Sequence, residues 1–315
     1  MLNSLLSSTA RQVFSVIFII VLCACSPQEK QEPVQPQVSA APNPAGGSAQ
    51  DSAKWTVMEG INAPESVFVD SASGFIFVSN VGGQPDQRDG NGYISKLSND
   101  GKMITASWVS GLNAPKGLRS HNGTLWTADL DEVIGIDIAA GKITSRTKIE
   151  GAKFLNDVAC GADGTVYVSD TVGSRIYAVK DGKASVFAEG DDIEYPNGLL
   201  VEGEKIVVGG WGKPEADFTT KVPGRLFTLD LKTKKKTLIT PEPIANIDGV
   251  ESDGQGGYIV SDFMAGKILQ ISSTGSVRLL KQLKQGTADI AYVPAAKLVI
   301  VPNMNENKVA AYDAF

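Results

Sequence analysis

The chain has 315 residues, with 35 Asp and Glu against 29 Lys and Arg, and the resulting net charge of −6 argues against nucleic acid as a partner. Two of its three cysteines, Cys23 and Cys25, fall in the first 25 residues, so Cys160 is left alone in the body of the chain. That excludes an internal disulfide and a cysteine-based metal site there, and Cys160 reads as a small buried hydrophobe.

In chain order, the first element is a leader. Arg11 precedes an apolar run, Val13 to Leu22, that has signal-peptide length and is too short to span a bilayer. The run ends in Leu22-Cys23-Ala24-Cys25, which resembles the lipobox of bacterial lipoproteins. The resemblance implies that residues 1–24 are removed and that Cys25 carries lipid, placing the protein on a membrane of the bacterial cell envelope, periplasm-facing or at the outer membrane. A plain secretory leader with a small-residue cleavage site is the alternative. From Cys25 to Ala53 the chain is Pro, Gln, Ala, Ser and Gly, a composition that reads as a disordered tether.

Lys54 to Phe315 is organised by a repeat. Short strands preceded by a polar head residue begin near Ala63, Ala114, Phe154, Tyr195, Asn246 and Thr287. Each is followed by a Gly- or Asp-rich turn and a second, apolar or alternating strand, such as Phe75–Asn80 or Thr165–Asp170. Third and fourth strands complete units of about forty residues, the size of a propeller blade. The predicted fold is therefore all-β, a six-bladed β-propeller over residues 54–315. The last unit has three strands, and the lone strand Lys54–Glu59 is expected to complete that blade and close the ring.

The innermost strands of a propeller line its channel, so the head residues Glu65, Lys116, Asn156, Asn197, Asp248 and Asp289 are expected to converge. Carboxylates and amides are hard oxygen donors suited to calcium, magnesium or manganese. Calcium is the first choice because its geometry tolerates ligands from several blades. A solvated channel mouth without an ion is the competing reading. The stretches Pro64-Glu65-Ser66, Leu155-Asn156-Asp157, Pro196-Asn197-Gly198 and Ile247-Asp248-Gly249 resemble, in order, four motifs of the regucalcin/gluconolactonase/luciferin-regenerating-enzyme-like propellers. Many members of that family are calcium- or zinc-dependent lactonases. The resemblance implies that Glu65, Asn197 and Asp248 ligate a divalent metal, and that Asn156 lies beside the substrate or reaches the metal.

Two departures stand out. Lys116 puts an ammonium in the ring, yet with Glu65, Asp248 and Asp289 the count still leaves charge for one divalent ion. His121, the only histidine in the sequence, is expected in a turn at the far end of its strand, so a His-His dyad cannot form.

Head-to-head intervals are forty or forty-one residues except Glu65 to Lys116 and Asn197 to Asp248, which are each fifty-one. The extra residues, from Asn80 and from Gly209, are expected to wall a cleft over the ring, with Trp211 and Phe218 offering apolar contact and Arg88 and Lys213 charge. Two functions fit. One is a divalent-metal-dependent hydrolase of a small lactone or ester, with Asp248 or Asp289 as base and Asn156 and Lys116 beside the reacting group. The other is a non-catalytic envelope lipoprotein that binds a small ligand or a protein.

Overall fold

A computed structural model describes residues 52–315. The expected leader, the expected lipidation at Cys25 and the expected tether as far as residue 51 lie outside the described residues. The described chain forms six four-stranded antiparallel sheets. Their innermost strands are Pro64–Asp70, Pro115–His121, Leu155–Cys160, Pro196–Glu202, Ile247–Ser252 and Ala291–Val293, here numbered as blades one to six. Each innermost strand packs against the next, and the sixth packs against the first. The fold is the six-bladed propeller read from the repeat.

Closure is built as expected. Trp55–Val57 pairs antiparallel with Val309–Ala311 and becomes the outer strand of blade six. Its indole rests on Gly101, where a Cβ would come within 2.3 Å of the ring and where φ is +79°. Only glycine combines that left-handed turn with so close an approach.

The core follows from strand alternation. Successive side chains on a strand point to opposite faces, and each face of an inner blade strand meets a neighbouring blade. Phe77 joins a cluster with Leu118 and Ile134 of blade two, whereas the next residue, Val78, joins Ile300 and Val309 of blade six. Six such clusters fill the six blade interfaces. This double burial is why the second strands read as nearly continuous apolar runs.

One regular departure from the ladder positions the site. In blades one to five the innermost strand shifts register just after its head residue, for example between Pro64 and Ser66 and between Pro196 and Leu199. A bulge of this kind re-aims a side chain and leaves a backbone N–H without its ladder partner. In three blades a second-strand serine takes that N–H. Ser79 Oγ accepts from Ser66 N at 2.9 Å, Ser169 Oγ from Asp157 N at 2.9 Å, and Ser261 Oγ from Gly249 N at 2.7 Å. The next residue of the second strand holds the approach to the head. The Asp129 carboxylate accepts from Ala114 N at 2.7 Å, Asp170 from Phe154 N at 2.8 Å, and Asn80 Oδ1 from Asn62 N at 2.9 Å.

Candidate functional site

The bulges aim Glu65, Lys116, Asn156, Asn197 and Asp248 into one cavity at the channel mouth, with a volume of about 270 Å³. These five side chains form its floor and all are buried. Glu65 Oε2, Asn156 Oδ1, Asn197 Oδ1 and Asp248 Oδ1 have no hydrogen-bond partner in the protein. A buried polar atom left unpaired costs about 1–3 kcal/mol, so four oxygens gathered from four blades are an expensive arrangement unless something binds them.

The electrostatics agree. Burial, then the neighbouring Asp248 and Asp289 carboxylates, push the Glu65 carboxyl well above the ordinary range, while Lys116 pulls it part of the way back. Burial and Asp289 raise Asp248 in the same direction, against the hydrogen bond from the Asn197 side chain. Burial depresses the Lys116 ammonium, which Glu65 opposes. A divalent cation among these oxygens would relieve both the missing hydrogen bonds and the crowding of negative charge. The donor set, two carboxylates and two amide oxygens, fits a hard ion such as calcium. Among the described residues no group of three or more His, Cys, Asp or Glu side chains is placed to hold a metal, so the fit rests on the amides as much as on the carboxylates.

Lys116 does not intrude on this oxygen set as an unpartnered charge. Its Nζ donates to Pro85 O at 3.0 Å and to Ala114 O at 3.2 Å, and lies 4.6 Å from the centre of the Phe154 ring.

Asp289 corrects the repeat alignment. It stands with the heads in sequence but does not line the cavity. Its backbone bridges to blade one, with Asp289 N donating to Glu65 O at 2.9 Å and Asp289 O accepting from Val67 N at 3.1 Å. Its Oδ2 accepts from Ser66 Oγ. Sealing blade six against blade one thus engages one oxygen of this carboxylate, and of the two candidate bases Asp248 is the one that lines the cavity.

The two long loops behave differently. In blade four, Trp211 and Phe218 both line the cavity, and Trp211 Nε1 donates to Phe218 O at 3.0 Å. In blade one only Pro85 reaches it. Arg88 turns to an ion pair with Asp131 beside the cavity, and Lys213 is exposed with Asp191 4.0 Å away, so neither charge belongs to the cleft. The sequence reading missed Phe154, Phe263, Met264 and Met304, which complete the wall. Phe154 precedes its head by two residues, and Phe263 and Met264 follow the second strand of blade five; those loop positions in the repeat were the signal available.

At the other end of the strands, His121 is the last residue of its strand rather than a turn residue, with a ring nitrogen 2.9 Å from the Asn122 amide. Cys160 is half-buried, and burial pushes its thiol up to about 12, so it is an unreactive packing group.

Comparison with family profiles and with curated proteins finds no match. Solved structures do match. A gluconolactonase from Xanthomonas campestris is 14% identical with a TM-score of 0.59, covering 84% of this chain and 87% of that one. A calcium-binding protein, regucalcin, from Agrobacterium tumefaciens is 17% identical with a TM-score of 0.59, covering 82% and 92%. Virginiamycin B lyase from Staphylococcus aureus is 13% identical with a TM-score of 0.56, covering 82% and 97%. At these identities the likeness is one of fold, and the chain is a propeller of the same architecture as these proteins.

Proposed function

We propose that this protein is a divalent-metal-dependent hydrolase of lactones or related esters, tethered to the bacterial cell envelope through lipid on Cys25. The observation that carries the reading is the set of four buried, unpartnered oxygens, Glu65 Oε2, Asn156 Oδ1, Asn197 Oδ1 and Asp248 Oδ1, at the base of a walled cavity. The likeness in fold to a gluconolactonase and to a calcium-binding regucalcin supports it without deciding it, because one fold hosts unrelated chemistries.

Glu65, Asn156, Asn197 and Asp248 would hold the ion, calcium first. When bound, it supplies Lewis-acid polarisation of a substrate carbonyl. Asp248, a carboxylate on the cavity floor with Oδ1 unpartnered, is the group placed to take the proton of an attacking water. The water oxygen adds to the acyl carbon, the ring C–O bond breaks, and the leaving alkoxide recovers the proton from Asp248. Asn156 orients the reacting group, and Lys116, fixed by two carbonyls, keeps a positive charge at the edge of the floor.

Turnover of a lactone and aryl-ester panel, with calcium and with chelator, tests the reading. Hydrolysis that chelator abolishes and that Asp248→Asn reduces at least a hundredfold is expected. An absence of turnover on the whole panel with calcium, magnesium, manganese or zinc would favour the binding lipoprotein. Membrane retention of Cys25→Ser equal to wild type would refute the anchor.

A further inference from the structure

The floor and the walls of the cavity offer a ligand very different chemistry. We infer that the substrate carries an apolar body, an alkyl- or aryl-bearing lactone or ester rather than a polyhydroxylated one, seated against an aromatic wall above the oxygen floor. This inference rests on the hydrolase reading for the reacting group only.

The wall is built from two ring pairs. Trp211 and Phe263 lie 5.7 Å apart and Phe154 and Phe218 5.0 Å apart, both pairs tilted, with Met264 and Met304 beside them. It is held rigidly. The indole N–H is already bonded to Phe218 O, and Asn246 Nδ2 donates to Trp211 O at 2.7 Å and to Thr220 Oγ1 at 2.9 Å, which fixes both ends of the loop. Phe218 is kept at φ +63°, a left-handed conformation that a bulky side chain adopts only when its surroundings impose it. The loop accepts that strain to place a phenyl ring over the pocket.

The polar side chains at the rim of the wall each make a bond within the protein. Thr171 Oγ1 donates to Pro196 O at 3.0 Å, and Asp217 Oδ1 accepts from Thr219 N at 3.1 Å and from Thr219 Oγ1 at 2.6 Å. The amide of Gln285 turns to the Met264 sulfur at 3.7 Å, and Asn305 Nδ2 donates to Gln285 O at 3.1 Å. The Lys116 ammonium is held by its two carbonyls. Sugar-like hydroxyls seated against the two ring pairs and the methionines would give up water without finding donors and acceptors there, whereas an apolar body loses nothing by leaving water. Among the residues that line the cavity, the buried oxygens left without a partner, Glu65 Oε2, Asn156 Oδ1, Asn197 Oδ1 and Asp248 Oδ1, lie on the floor, where a reacting carbonyl and an ion belong.

The test compares 3,4-dihydrocoumarin and δ-decalactone with D-glucono-δ-lactone on the calcium-loaded protein. The apolar lactones should show kcat/KM at least about a hundredfold higher, the scale on which a site discriminates when hydroxyls are left unpaired. Phe218→Ala and, as a second variant, Phe263→Leu should each reduce that ratio about tenfold with the melting temperature of the fold retained. Equal or better turnover of the gluconolactone would overturn the inference while leaving the hydrolase reading intact. If no lactone is turned over, calorimetric binding of the same three compounds decides it: tighter binding of the apolar pair, weakened in Phe218→Ala, supports the wall as a binding site, and no difference overturns it.

Discussion

Two layers of the channel, one to three residues apart along the inner strands, are both built from buried polar side chains and do different things. In the upper layer, Glu65, Asn156, Asn197 and Asp248 each leave an oxygen without a partner. In the layer beneath, the polar groups clasp the blades. Asp157 Oδ2 accepts from Leu199 N of blade four at 2.6 Å and its Oδ1 from Val158 N at 2.7 Å. Arg119 Nη1 of blade two donates to Glu251 Oε1 of blade five at 2.7 Å across the channel, and Ser66 of blade one donates to Asp289 of blade six. Asp289 Oδ1 and Arg119 Nε and Nη2 stay open below, an acceptor and two donors whose charges attract. Buried polarity that joins blades is structural; buried polarity that points its lone pairs at one cavity is set up for a ligand.

The largest effect should come from breaking the lower layer. Arg119→Ala leaves Glu251, Asp157 and Asp289 without their shared counter-charge, with Arg119 and Glu251 side chains only 12% and 16% exposed. A loss of about 3–5 kcal/mol is expected by urea denaturation, as for other buried pairs stripped of one partner. A loss below about 1 kcal/mol would show that the lower layer does not hold the ring together.

The upper layer should respond to ions instead. Calcium at a hundredfold excess over its dissociation constant should stabilise the protein by about 2.7 kcal/mol, seen as a rise in Tm that chelator reverses. Asn197→Ala and Asp248→Asn should remove that rise while keeping the fold in chelator. An unchanged response in both variants would move the ion away from these residues.

A smaller effect should follow where the layers meet. Ser169→Ala removes the hydroxyl that accepts from Asp157 N behind the blade-three bulge. About 1 kcal/mol of stability should be lost, with weaker calcium stabilisation because the bulge also aims Asn156. Ser261→Ala, behind Gly249 and next to Asp248, should behave alike. If either variant loses stability without any change in the calcium response, the bulge is not what positions the floor.

The sequence made the blades, their order and the closing strand legible because each depends on short-range pattern: apolar alternation, turn residues and a forty-residue period. Five of the six head residues reach one cavity for the same reason. Asp289 could not be placed this way, since its position depends on how the last blade meets the first, a contact between residues 223 apart in the chain. The bulge-capping serines were printed in the repeat, in Val78-Ser79-Asn80, Val168-Ser169-Asp170 and Val260-Ser261-Asp262, but their role needs the register shift to be seen. Arg88 and Lys213 illustrate the opposite failure. Loop length suggested a wall, but which side of a loop faces the cavity is settled by local partners such as Asp131.

The sharpest test of the comparison asks whether the upper layer is destabilising when empty. Burial and neighbouring carboxylates raise Glu65 well above its unfolded value. Between the unfolded and the folded pKa the native state therefore binds more protons than the unfolded chain, and stability falls as pH rises through that interval. Below the unfolded value both states are protonated and the penalty vanishes. Glu65→Gln removes the titration while keeping the shape. In chelator, the variant should accordingly melt above wild type at pH 8 and converge with it towards pH 4, where the wild-type carboxyl is neutral. With calcium the order should invert, since wild type then gains from a carboxylate ligand that the amide replaces less well. Paired melting curves at pH 4, 6 and 8, with and without calcium, give the answer. A variant less stable than wild type in chelator at pH 8 would mean that Glu65 is held by the fold like the residues beneath it, and the distinction between the two layers would fail at its central residue.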